Sequence, residues 1–234
     1  MIKFFGKTVV ALMCLFGILG YGHVIVGETQ QLFENLTPLI AFGVGGVVYF
    51  VFWILLFSRD EGIWSTMEHE VTHALFALLF FKKVHSLSAK RDVGGEVKLS
   101  GGNFVISLAP YFFPLFTVII ILIKPFIIST YQWIFNGLIG FTLMFHLNHL
   151  FREFHPSQPD IDRTGVIFSF IVVTFFNLFF LGLVIVALKG SWHDMRGYVM
   201  DGASQSLVYL KEGWILFQEK VLDRYIAPRF PHSS

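Results

Sequence analysis

Gly62-Ile63-Trp64-Ser65-Thr66-Met67-Glu68-His69-Glu70-Val71-Thr72-His73-Ala74-Leu75-Phe76-Ala77-Leu78-Leu79-Phe80-Phe81 is apolar over most of its length but carries two carboxylates and two imidazoles near its middle. Such a stretch is as long as the roughly 20 residues that cross about 30 Å of hydrocarbon. A charge at the centre of a membrane helix costs about 2.5–3.5 kcal/mol on insertion scales, so four ionisable groups here need a compensating role.

The surroundings make the membrane setting firm. Residues 8–27, 35–58, 99–123, 125–151 and 164–188 contain no Asp, Glu, Lys or Arg, and each is long enough to span. Across the 234 residues, 55% are hydrophobic and 14% charged, with 29 Phe, against roughly 45–50% and about 25% in a soluble domain. Mean hydropathy is +0.67. A soluble globular fold is therefore excluded, and the expected class is an all-α integral membrane protein, multi-pass, with about six transmembrane helices. The net charge of +1 gives no electrostatic case for nucleic acid. The single Cys14 excludes an internal disulfide framework or a cysteine-built metal site.

In the first stretch, Lys3 and Lys7 ahead of Thr8 to Gly20 also fit a secretory signal peptide. The uncharged run continues past Gly22 with no clear small-x-small site, so a retained span is expected, with cleavage as the alternative. Basic residues are shared between the two sides of the bundle and set no orientation. Val84 to Leu99 alternates around Asp92-Val93-Gly94-Gly95 and predicts a β-hairpin at about 84–100, an irregular polar loop being the alternative. The organisation is thus a membrane bundle over 1–188 and a polar tail over 189–234. In the tail Leu207, Leu210, Trp214, Phe217, Val221 and Tyr225 recur at helical spacing, predicting an amphipathic helix at about 204–226, on the membrane or packed on the bundle.

His69-Glu70-Val71-Thr72-His73 is an H-E-x-x-H sequence. Residues four apart lie one turn apart on one helix face, so two imidazoles can grip one ion. Zinc suits such a pair: it accepts neutral imidazole, and its catalytic sites commonly keep three protein ligands and a water. Glu70 is then placed to act as general base toward that water. The alternative is a polar seam in which Glu68 and Glu70 hydrogen-bond to neighbouring helices.

A third ligand must come from elsewhere. Phe154-His155-Pro156-Ser157-Gln158-Pro159-Asp160-Ile161-Asp162 precedes the last span, and its prolines delay the helix until about Pro159. Asp160 is the first candidate and Asp162 the second. Asp160 could instead close a capping box with Ser157. His146 and His149 form a rival pair, three apart, able to supply a ligand or act around the site. His23, His85, His193 and His232 have no partners at ligand spacing.

These residues resemble the site-2 protease-like intramembrane zinc metalloproteases. The resemblance rests on H-E-x-x-H in a membrane helix, the glycine-turned hairpin, a helix start at Leu108-Ala109-Pro110 and an Asp-bearing start at Pro159-Asp160, covering about 60–170. It implies zinc (Zn2+) held by His69, His73 and an Asp, with Glu70 as catalytic base. It also implies transmembrane proteins or peptides as substrates, cleaved within the bilayer, and a hairpin that pairs with the unwound substrate. The chain departs from the family in having Ile161 rather than Gly directly after Asp160. It departs also in having two uncharged stretches, 99–123 and 125–151, between hairpin and Asp. Either one of these is re-entrant or the Asp dips to the midplane. The competing function is a membrane transporter or metal- and proton-handling protein using Glu68, Glu70 and the four histidines as a path.

Overall fold

The computed structural model describes residues 2–57, 62–90 and 94–220. Its elements are α1 (Ile2–Glu34), α2 (Leu36–Phe52), α3 (Gly62–Leu79), the strands β1 (Val84–Lys90) and β2 (Gly94–Leu99), and then α4 (Phe104–Leu108), α5 (Leu115–Ile123), α6 (Gln132–Glu153), α7 (Pro159–Thr164), α8 (Val166–Lys189) and α9 (Trp192–Phe217). A π-helical turn, Trp53–Phe57, continues α2. The fold is a helical membrane bundle with one small antiparallel hairpin, as the charge pattern predicts.

Among the described residues, four helical stretches are long and apolar enough to cross a membrane: Phe5–Glu34, Leu36–Leu55, Ser129–Glu153 and Val166–Lys189. Phe104–Tyr111 and Leu115–Phe126 together would make a fifth, but they meet at a bend of 81°. Pro110 and Pro114 lie at this bend, where a missing N–H and a fixed φ interrupt the helical ladder. The uncharged stretch 99–123 is therefore a broken or re-entrant element and not a straight span. α3 is helical over the expected residues, although Glu68, His69, Glu70 and His73 hold it below the apolarity of the others.

α2 and α6 approach backbone to backbone. A Cβ on Gly45 would fall 1.8 Å from the Gly137 carbonyl oxygen, and one on Gly140 would fall 2.0 Å from that of Phe42. Small residues at the contact suit a bilayer, where lipid is as apolar as the side chains and helix association rests on close packing. α1 lies against α8 and α9. The Tyr21 hydroxyl donates to the Val199 carbonyl and the Tyr198 hydroxyl to that of Phe179, both at 3.0 Å, so the three helices are cross-tied by satisfied polar groups.

The hairpin pairs Leu87 with Val97 and Ser88 with Glu96, with an irregularity between Val84 and Ser86. Part of its turn, residues 91–93, lies outside the described residues. α9 starts earlier than the sequence pattern suggests, at a capping box formed by Ser191 and Asp194. Its inward face is built from Met195, Tyr198 and Gly202, while Leu207, Leu210, Trp214 and Phe217 are exposed. The last part of the expected amphipathic helix, with Val221 and Tyr225, lies outside the described residues.

Candidate metal centre

α3 presents His69 and His73 on one face, one turn apart, with their Nε2 atoms 3.1 Å from each other. Asp160, in the first turn of α7, brings Oδ2 to 3.3 Å from His73 Nε2 and 3.9 Å from His69 Nε2. Among the described residues these three form the one group of His, Cys, Asp or Glu side chains close enough to hold a metal ion. The separations bracket the roughly 3.3 Å expected between donors about 2.0–2.1 Å from one tetrahedral zinc.

The far nitrogens fix which atoms face inward. His73 Nδ1 lies 2.8 Å from the Ile106 carbonyl oxygen, and His69 Nδ1 lies 3.1 Å from Glu153 Oε2. A carbonyl oxygen only accepts, so His73 Nδ1 must carry the proton, and an ionised Glu153 makes the same demand of His69. With both rings neutral, two bare lone pairs and a carboxylate oxygen converge on one point. That is a repulsive arrangement on its own and a suitable donor set for a divalent cation.

Local sequence explains how the pieces arrive. The Asn103 side chain accepts from the Ile106 N–H at 2.9 Å, capping α4 and fixing the segment whose carbonyl meets His73. Pro159 opens α7 at a helix start with no side-chain cap, so Asp160 is turned toward the histidines and does not close a box with Ser157, whose hydroxyl meets His155 Nδ1 at 2.6 Å. Lys7 of α1 donates to the Thr164 carbonyl at 2.7 Å and ties down the other end of α7. Asp162, two residues on from Asp160, is exposed and outside the cluster.

Glu70 is buried on α3, beneath the hairpin. A Cβ on Gly95 would fall 2.5 Å from Glu70 Cγ and 2.5 Å from Thr66 Cγ2, so only a glycine lets β2 come this close to the helix. Ser65, Glu68, His69, Tyr111, His149 and Glu153 border a small polar void beside the cluster. His146 and His149 are buried on α6 and do not join the three converging groups, and their Nε2 atoms have no hydrogen-bond partner among the described residues.

Glu153 and the Ile106 carbonyl are contacts that the motif pattern alone does not disclose. One local signal does exist for Glu153. A carboxylate in the last turn of a helix opposes the helix dipole, at a cost of about 0.3–1 kcal/mol, and so asks for a partner elsewhere.

The fold and the cluster define a multi-pass integral membrane protein with a site that could hold a metal ion. Residues 42–154, just under half of the chain, match the family described as Peptidase M50B-like, and over that segment the chain is similar to this family. The match takes in His69, Glu70, His73 and Glu153 and ends just short of Asp160. It agrees with the site-2 protease-like resemblance of the motif. No curated protein and no solved structure gave a significant match to the chain.

Proposed function

We propose that this protein is a zinc-dependent intramembrane endopeptidase that hydrolyses peptide bonds of transmembrane substrates. The observation that carries the reading is the convergence of His69 Nε2, His73 Nε2 and Asp160 Oδ2 next to Glu70, inside a bundle of long apolar helices. The Peptidase M50B-like match supports it independently.

His69, His73 and Asp160 would hold the zinc. When bound, the metal supplies a Lewis acid and a water whose pKa falls toward about 7. Glu70, next in sequence to His69, takes the proton from the attacking water and delivers it to the departing amine nitrogen. The open edge of the two-stranded hairpin holds the unwound substrate segment as an added strand, keeping the scissile bond extended. The polar void beside His69 offers side chains to water at a depth where lipid excludes it.

The test is zinc content and cleavage of a transmembrane peptide by the purified chain, wild type beside Glu70→Gln. We expect one zinc per chain in both, and cleavage reduced at least about 100-fold in the variant, the lower end of what a general base contributes. No stoichiometric zinc in the wild type, or full cleavage by Glu70→Gln, would overturn the proposal.

A further inference from the structure

We propose that Glu153 is a positioning residue for His69, resting on the zinc reading above and adding to it a carboxylate outside the H-E-x-x-H motif. Glu153 closes α6, 84 residues from His69 in sequence, and its Oε2 accepts from His69 Nδ1 at 3.1 Å. A ligating imidazole whose other nitrogen donates to a carboxylate has its tautomer and ring plane fixed and becomes the more basic ligand. Three observations favour this role over that of an ordinary charge at a helix end. Glu153 sits at the negative end of the α6 dipole, where a carboxylate is locally disfavoured, so its placement is offset by a contact elsewhere. Its side chain is only 29% exposed, turned inward to the void that His69 also borders. The companion histidine is held in the same way, with His73 Nδ1 bound to a backbone carbonyl. The two ligands therefore differ in kind of support. His73 is fixed by main chain that substitution at position 106 leaves in place, while His69 depends on one replaceable side chain.

That asymmetry makes the inference testable without a cleavage assay. Cobalt(II) and zinc affinities are measured by chelator competition, with the cobalt visible spectrum recorded, for wild type, Glu153→Gln, Glu153→Ala and His69→Ala, alongside the melting temperature of each metal-free protein. Outer-shell partners of metal-bound histidine are worth about 10–100-fold in affinity. We expect Glu153→Ala to weaken metal binding within that range and to alter the cobalt spectrum. Glu153→Gln, whose amide oxygen still accepts from Nδ1–H, should lose less and keep a spectrum close to wild type. If Glu153→Ala binds metal as tightly as wild type while His69→Ala does not bind, the inference about Glu153 fails and the zinc site stands. The inference also fails if both Glu153 variants lower only the metal-free melting temperature. If the wild type and His69→Ala bind equally poorly, the zinc reading itself fails.

Discussion

His69 and His73 are four apart on α3, His146 and His149 are three apart on α6, and both pairs sit inside the bundle where an unpaired polar group is expensive. They differ in what surrounds them. In the α3 pair each Nδ1 has an acceptor, and the Nε2 atoms face each other and a carboxylate. In the α6 pair the Nε2 atoms have no partner among the described residues, and His149 instead sets its ring edge-on against Phe145 at 4.5 Å. Spacing and burial alone therefore do not bring donor atoms together. In the α3 pair that is done by an acceptor behind each ring, which turns the Nε2 atoms to a common point, and by a chain reversal that brings a carboxylate to that point.

The sharpest way to break this comparison is to remove each histidine in turn and measure zinc. His69→Ala and His73→Ala should each abolish stoichiometric zinc, whereas His146→Ala and His149→Ala should retain it. A transporter that moved ions through all four residues would show no such division, and zinc lost equally from both pairs would refute the distinction. A smaller contrast is expected within α7. Asp160→Asn should weaken zinc binding by more than the about 10–100-fold typical of outer-shell partners, because it removes a ligand. Asp162→Asn, on an exposed side chain, should leave the affinity within error. Equal losses in the two variants would mean that the helix start as a whole, and not the Asp160 oxygen, sets the affinity.

Much of this was legible because membrane burial makes the sequence speak plainly. Charges avoid the spans, so Glu68 and Glu70 stand out at once, and strict alternation on both sides of a glycine pair marks the hairpin that lies over Glu70. Asp160 is legible as a candidate from Pro159, but that it, rather than Asp162, lies beside the two histidines is seen only in the structure, since either could follow a proline-opened turn. The bend between α4 and α5 is a conformational outcome of Pro110 and Pro114 in an otherwise uninterrupted apolar run, and hydropathy cannot register it. Glu153 was the least legible. Its significance comes from a contact across 84 residues, and the only local trace is a carboxylate at the wrong end of a helix.

The smallest effect concerns the α6 pair itself. His146 is 3% exposed, and its Nε2 lacks a partner while the ring borders an apolar cavity shared with Leu143, Leu147 and Val173. A buried polar atom left unpaired costs about 1–3 kcal/mol, and replacing the ring with an apolar group of similar size removes that cost but also gives up the ring's hydrogen bond with Asn177. The two effects nearly offset, so His146→Leu should change unfolding free energy by no more than about 1 kcal/mol in either direction, measured by reversible denaturation in mixed micelles. The same exchange at His73 should be strongly destabilising to the metal-bound protein, because there the ring nitrogen already has its acceptor, and ligand-linked stability is lost with the ligand. A His146→Leu protein destabilised by several kcal/mol would show that the ring has a partner beyond Asn177, such as bound water at Nε2 in the cavity, and would move it from scaffold to function.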